Sequence, residues 1–137
     1  MFIPHGTTIV VLDGSGLKLY RNGGEETHPK LAPLPVPALT AHSHDSGKQH
    51  RSSAANPDRQ NAGEDSFFAA VAEWLNGQAA EGKIQHLVVV APPRALGELR
   101  RHYHKALAEK VLLELHKDLM DRPLAELEAA LVHAKAL

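Results

Sequence analysis

Acidic side chains at the expected ends of secondary-structure elements are the first candidates for chemistry in this chain. Asp13 follows a β-branched run, and Glu64 and Asp65 precede an apolar pattern of helical spacing. Nucleases that use two metal ions hold such carboxylates at strand ends and at a helix start, so that the ions flank the scissile phosphate. The next strand, however, runs into Ala91-Pro92-Pro93, where that site requires an acid. We therefore interpret Asp13 as a turn former, predict no metal site, and keep a metal-dependent nuclease as a third functional hypothesis.

Histidines are the second candidates, because the chain has 10 of them. His42, His44 and His50 lie in one polar stretch, but the chain has no cysteine to join them and the stretch lacks turn residues that would build a four-ligand cage. We interpret them as solvated side chains and predict no cofactor. The glycine-rich Asp13-Gly14-Ser15-Gly16 joins two expected strands and does not open a helix, so it is not a phosphate-binding loop. Conventional catalytic motifs are thus absent.

Residues 40–66 form a polar stretch that offers little but alanine for burial. Such a composition cannot offset the entropy of ordering the chain, and long loops in small domains are usually functional or disordered. Lys48, Arg51 and Arg59 can pair with phosphates, and the neighbouring Ser and Asn side chains supply neutral hydrogen bonds. Arg100 and Arg101 add cations on a later helix. The alternative is that these charges only keep the loop and the helix face soluble.

Overall composition excludes several classes of protein. The chain carries 15 Lys plus Arg against 16 Asp plus Glu, which argues against coating nucleic acid by bulk charge. Without cysteine it has no disulfide framework, zinc finger or iron-sulfur cluster. No apolar run approaches the roughly 18 to 20 residues of a membrane-spanning helix, and the first residues do not resemble a secretory signal. We predict a cytoplasmic protein with no membrane partner.

Hydrophobic periodicity predicts the element order β-β-β-α-β-α-β-α. This order favours an α/β fold: a mixed five-stranded sheet with helices on its faces, as in the three-layer ribonuclease H-like architecture. One domain of residues 1–137 would then carry a long polar loop at about 40–63. The expected strands are 7–12, 17–21, 25–31, 84–90 and 110–115, and the expected helices begin at a capping box formed by Asn61 and Glu64, at Pro92-Pro93 and at Pro123.

Several stretches of the sequence carry a family resemblance. They are Ile3-Pro4-His5-Gly6-Thr7, Val11-Leu12-Asp13-Gly14, Leu17-Lys18-Leu19-Tyr20, residues 50–58, residues 88–100 with Ala91-Pro92-Pro93-Arg94, and Lys117-Asp118-Leu119. Together they resemble the bacterial host-attachment proteins, described as "protein required for attachment to host cells". The resemblance covers nearly the whole chain, and the Ala-Pro-Pro-Arg segment and the first hairpin are its most specific parts.

That family is similar to the middle domain of the eukaryotic and archaeal class-one peptide release factors. In those factors a Gly-Gly-Gln tripeptide, in the long loop before the first helix, promotes release of the nascent chain at the peptidyl-transferase centre. Gly47-Lys48-Gln49 holds the corresponding place here, with Lys48 where the second glycine stands. The resemblance thus implies catalytic roles for Gly47 and Gln49. The residues that we expect to bind RNA or the ribosome are Lys48, His50, Arg51, Arg59, Arg94, Arg100 and Arg101.

Two further functional hypotheses follow from this resemblance. In the first, a ribosome-associated protein enters the peptidyl-transferase centre with its polar loop, either to free stalled chains by stimulating hydrolysis of peptidyl-tRNA or to occupy the site. The ribosome or tRNA is then its partner, and a second protein would supply the codon-reading surface for which this short chain has no room. In the alternative, a non-enzymatic interaction protein is needed for attachment to host cells.

Overall fold

The computed structural model describes residues 2–39 and 57–134. Its elements, in chain order, are β1 (Thr8–Asp13), β2 (Gly16–Asn22), β3 (Leu31–Leu34), α1 (Pro57–Ala80), β4 (Leu87–Ala91), α2 (Pro93–Arg100), α3 (Lys105–Ala108), β5 (Val111–His116) and α4 (Leu124–His133). None of the helices in these ranges is long and apolar enough to cross a membrane.

The five strands form one mixed sheet in the order β3-β2-β1-β4-β5. Antiparallel pairing joins β1 to β2 and β2 to β3, whereas β1 pairs with β4 and β4 with β5 in parallel. Val10 of β1 lies opposite Leu19 on one side and Val89 on the other, which sets the central register. The α/β class and the mixed five-stranded sheet are confirmed, and the strand order is compatible with the ribonuclease H-like architecture.

Helices cover both faces of the sheet. On one face, α1, α2 and α3 bury Phe68, Leu75 and Leu99 against residues such as Val10 and Val89. On the other face, the α4 residues Leu127 and Leu131 pack with alternate residues of β1 and β4. Because β1 and β4 are buried on both sides, their sequences are continuous apolar runs, rich in Val, without alternation.

Helix α1 begins earlier than the capping-box pattern predicts. Pro57 is its first residue, so Asn61 lies inside the helix and is not its N-cap. Proline suits this position because its ring already holds a helical φ and its missing N–H has no intrahelical partner there. Residues 57–63, which composition placed in the polar loop, are therefore helical. The helix ends at Ala80, and Gly82 follows it with a φ of +77°, a usual way to terminate a helix.

Three other boundaries differ from the predictions. The third strand is β3, at Leu31–Leu34, because Glu25 and His28 exchange backbone hydrogen bonds and form a turn where a strand was expected. The fourth strand begins at Leu87, and the buried Ile84 packs into the core from the connection before it. The long helix expected after Pro92-Pro93 is divided into α2 and α3, with residues 101–104 between them outside any helix.

Candidate functional site

The hairpin between β1 and β2 uses the carboxylate of Asp13 internally. Asp13 Oδ1 accepts hydrogen bonds from the Ser15 backbone N–H at 2.8 Å, the Ser15 hydroxyl at 2.7 Å and the Gly16 backbone N–H at 3.1 Å. This geometry confirms Asp13 as a turn former. A nuclease would need the same carboxylate to face a metal ion instead.

A charged junction lies beside this hairpin, at the edge of the sheet where β1 and β4 both end. Arg94, at the start of α2, donates from Nη2 to Asp65 Oδ1 at 2.5 Å. Its Nε lies 3.7 Å from Glu64 Oε1. Glu64 and Asp65, the two helix acids that the sequence singled out, therefore lie at this edge of the sheet. Their shared partner is the Arg94 guanidinium, whereas in a metal site it would be a metal ion.

The nuclease hypothesis gains no support from this edge of the sheet. Within residues 2–39 and 57–134, no three His, Asp or Glu side chains are grouped so that they could hold a metal ion. Arg94 supplies the positive charge that balances Glu64 and Asp65. The arrangement is that of an ion-pair junction between two helices.

Arg100 makes a second charged cluster with β5. Its Nε and Nη2 donate to Glu114 Oε1 at 2.9 and 2.6 Å, and the Tyr103 hydroxyl donates to Glu114 Oε2 at 3.4 Å. The Glu114 side chain is 9% exposed, against 48% for Arg100. Hydrogen bonding to this carboxylate raises the pKa of Arg100, while burial and the negative charge of Glu114 raise the pKa of Tyr103 well above its ordinary value. Arg100 thus balances a largely buried carboxylate.

The connection between α2 and α3 is held by α1. The Asn76 side chain donates to the His102 carbonyl at 2.9 Å and accepts from the His104 backbone N–H at 2.9 Å. In the same connection, His102 Nε2 lies 3.1 Å from Glu98 Oε2. Since Asn76 satisfies backbone groups that a continuous helix would pair internally, the chain turns here, and His102 and His104 do not share a helix.

Arg101 is the most exposed of the three scaffold arginines that the sequence assigned to RNA binding. Its side chain is 75% exposed, against 47% for Arg94 and 48% for Arg100. It makes one ion pair, from Nη1 to Glu98 Oε1 at 3.3 Å, with Glu98 itself 14% exposed. All three arginines therefore have carboxylate neighbours. Among the contacts described, the ion pair of Arg101 is longer than the shortest ion pairs of Arg94 and Arg100, and it is the most exposed to solvent.

The other predicted site residues lie outside the described side chains. Gly47, Lys48, Gln49, His50 and Arg51 fall between residues 40 and 56, which the structure does not describe. Arg59 lies in α1, but the structure does not describe its side chain. Their roles stay predictions.

Sequence reasoning missed Glu114, Tyr103 and Asn76 as members of these clusters. Glu114 is an acid within an otherwise apolar strand, and this was a detectable signal. Asn76, with 5% exposure, lies inside α1 directly after the buried Leu75. An amide among apolar residues is a sign that backbone groups elsewhere require a partner.

Comparisons with known proteins agree with the release-factor side of the resemblance. No curated protein matches the chain. A family model does match, over residues 6–131, and it is described as bacterial archaeo-eukaryotic release factor family 12. The matched range includes the whole sheet, α1 to α3, and most of α4. The chain therefore belongs to bacterial archaeo-eukaryotic release factor family 12.

Proposed function

We propose that this protein acts at the ribosome on peptidyl-tRNA, through the segment that joins β3 to α1. The family match is the observation that carries this proposal, because it extends across the scaffold and across residues 40–56 alike. Release factors of the resembling class use the corresponding segment to reach the peptidyl-transferase centre. A cytoplasmic location follows from the proposal.

The proposed chemistry is hydrolysis of the ester between nascent peptide and tRNA. Water attacks the ester carbonyl, the bond from that carbon to the ribose oxygen breaks, and the ribose oxygen takes up a proton. Gln49 would orient the water or the carbonyl through its amide, which both donates and accepts hydrogen bonds. Gly47 would allow close approach of the backbone. Lys48 stands where the release-factor tripeptide has its second glycine. Because its side chain is a cation, it would contact a phosphate, as we propose for Arg51 and Arg59.

The charges of the described surface favour RNA contacts at a few separate positions. They do not form a broad basic face. The net charge is -1, and Arg94 and Arg100 lie against carboxylates that balance them. Arg101 extends furthest into solvent among the three scaffold arginines. We therefore assign phosphate contact to Lys48, His50 and Arg51 in the segment, to Arg59 in the first turn of α1, and to Arg101 on the scaffold.

Co-sedimentation with ribosomes over a salt series tests the binding half of the proposal. Each phosphate contact adds about 0.7 to 0.9 to the magnitude of the slope of log affinity against log salt, so four or five contacts predict a magnitude of about 3 to 4.5. Binding should therefore be strong at low salt and weak at high salt. Absence of binding at low salt would reject the proposal.

Release of a model peptide from peptidyl-tRNA on ribosomes tests the catalytic half. Gln49→Ala should suppress release without changing the salt slope, because glutamine carries no charge. Gln78→Ala, which removes a glutamine of α1 outside the segment, is the matched control and should retain release. Wild-type binding without release would show that the segment occupies the site without promoting hydrolysis.

Cell fractionation separates this proposal from the host-attachment hypothesis. A protein that works on ribosomes should be found with them, and its loss could affect attachment to host cells indirectly. If the protein is recovered outside the cell instead, the ribosomal proposal is rejected and an interaction protein is the remaining hypothesis.

A further inference from the structure

The part of α1 just before its first described buried residue is joined to the rest of the fold by charged contacts. Phe67 is the first buried side chain in the described part of the helix, and residues 63–66 are partly buried. Within that short stretch, Glu64 and Asp65 both face Arg94 of α2. Hydrophobic burial therefore fixes α1 from Phe67 onward, whereas ion pairs hold the turn before it.

The hairpin between β1 and β2 forms the third side of this junction. A Cβ atom on Gly14 would lie 2.5 Å from Glu64 Oε2 and 2.7 Å from Glu64 Cδ. A Cβ at these distances would force the flexible end of Glu64 to move, so glycine at this position is what lets the Glu64 carboxyl group lie against the hairpin. Three elements thus meet at two acids, one arginine and one glycine.

We propose that Arg94 is a positioning residue, which fixes the direction of α1 at the edge of the sheet by pairing with Asp65 and Glu64 beside Gly14. Pro57 begins the same helix and is bonded to the segment of residues 40–56. The direction of α1 therefore sets where the chain leaves that segment. The consequence for peptide release rests on the proposed function, whereas the junction itself does not. This role replaces the phosphate contact that the sequence suggested for Arg94.

Solvent exposure decides which measurement can detect the junction. The side chains are 47% exposed for Arg94, 38% for Asp65 and 33% for Glu64, and exposed ion pairs contribute little to global stability. Helix ends, however, open locally at a much lower free energy than the whole domain. Loss of the junction should therefore increase local opening of α1 while the unfolding transition stays nearly unchanged.

Hydrogen exchange of backbone amides in the purified protein tests this directly. Arg94→Ala should speed exchange of residues 61–68 about two- to fivefold, the range expected for loss of exposed ion pairs, and leave β1 and β4 unchanged. Arg122→Ala removes an arginine that lies 4.0 Å from Glu126 in α4, and it should change nothing in α1. The double variant Arg94→Asp with Asp65→Arg should restore slow exchange. Unchanged exchange in residues 61–68, or equal acceleration throughout the protein, would overturn the proposal.

A second variant covers the case in which Arg94→Ala does not fold. Gly14→Ala retains every charge but must displace the Glu64 carboxyl group. It should speed exchange in the same residues, to a smaller extent, because Arg94 still pairs with Asp65. If Gly14→Ala leaves residues 61–68 protected as in the wild type, Glu64 has no part in the junction and the proposal is wrong on that point.

Ribosome binding distinguishes positioning from direct phosphate contact. A positioning Arg94 predicts that Arg94→Ala weakens binding and release with an unchanged salt slope. A phosphate-binding Arg94 predicts a slope lower by about 0.7 to 0.9, which would overturn the proposal. If the wild-type protein does not bind ribosomes, the proposed function fails and hydrogen exchange alone decides the role of Arg94.

Discussion

Arg100 donates two hydrogen bonds to the same oxygen of Glu114, from Nε at 2.9 Å and from Nη2 at 2.6 Å. The pair joins the end of α2 to β5. Because Glu114 is far less exposed than Arg100, the arginine extends from the surface to neutralise a carboxylate in the interior. A residue that the sequence assigned to RNA binding therefore also has a structural role, whereas its contact with RNA stays a prediction.

We expect Arg100→Ala to destabilise the fold more than Arg101→Ala. Loss of Arg100 leaves the Glu114 carboxylate without its charge-assisted hydrogen bonds, at a cost of about 1 to 2 kcal/mol after allowance for solvent screening. Arg101 makes one longer, exposed ion pair, so its loss should cost less than about 0.5 kcal/mol. Urea unfolding followed by circular dichroism measures both values. Equal values for the two variants would contradict this account of the Arg100 contact.

Tyr103 should make the protein less stable at alkaline pH. Burial, with the nearby charge of Glu114, raises the pKa of Tyr103 above its ordinary value of 10.0. Below about pH 10 the hydroxyl is protonated in both the folded and the unfolded chain, so Tyr103 makes no contribution to the pH dependence of stability there. Above that pH the unfolded chain loses the proton first, and the free energy of unfolding falls by up to about 1.4 kcal/mol per pH unit.

Comparison with Tyr103→Phe isolates this contribution. Phenylalanine cannot ionise, and every other side chain is the same in the two proteins. The stability difference between wild type and variant should be nearly constant from pH 7 to 9 and should then shift in favour of the variant. Parallel curves up to pH 11 would show that Tyr103 ionises in the folded protein as easily as in water.

Asn76→Ala should be among the most destabilising polar substitutions in α1. It leaves the His102 carbonyl and the His104 N–H, in two part-buried hydrogen bonds, without their partner, so the total cost should be about 1 to 3 kcal/mol. Thermal and urea unfolding would both report the loss. Gln78→Ala, two residues further along the same helix, is the control and should lie within about 0.5 kcal/mol of wild type. A similar cost for both variants would show that the α2–α3 connection does not depend on Asn76.

The strands of this fold are largely readable from the sequence because their signal is local. The β-branched run before Asp13 and the Val-rich run before Pro92 are buried on both faces, and composition alone shows that. Helix limits were less predictable because two start signals compete, a capping-box pattern at Asn61 and the proline at Pro57. Apolar spacing also continues from Leu99 to Leu107, so it conceals the break that Asn76 stabilises from another helix.

The candidate site is less readable because its contacts join residues that are distant in sequence. Arg94 and Asp65 are 29 residues apart, and Arg100 and Glu114 are 14 apart. Periodicity shows that an arginine is on a polar side of a helix, but not whether a carboxylate from another element faces it. The three scaffold arginines therefore looked alike in the sequence, whereas the structure gives each a different environment.

Alanine should destabilise the fold at Gly24 but be tolerated at the neighbouring Gly23. A Cβ on Gly24 would lie 2.6 Å from the His28 carbonyl oxygen and 2.8 Å from the Lys30 nitrogen, both rigid backbone atoms. Gly24→Ala should therefore cost about 1 to 3 kcal/mol through overpacking. A Cβ on Gly23 meets its nearest atom at 3.8 Å, so Gly23→Ala should be nearly neutral. Unfolding midpoints in urea compare the two, and a neutral Gly24→Ala would show that the β2–β3 connection is looser than described.

Arg101→Ala provides the sharpest separation of binding from stability on the scaffold. Since the side chain is 75% exposed and makes one ion pair with Glu98, its loss should leave unfolding nearly unchanged. If Arg101 contacts a ribosomal phosphate, the same substitution should lower the salt slope of ribosome binding by about 0.7 to 0.9. Arg122→Ala, in the connection before α4, should leave the slope at the wild-type value. A slope unchanged by Arg101→Ala would remove Arg101, the most exposed of the three scaffold arginines, from the RNA interface and leave the assigned phosphate contacts to Lys48, His50, Arg51 and Arg59.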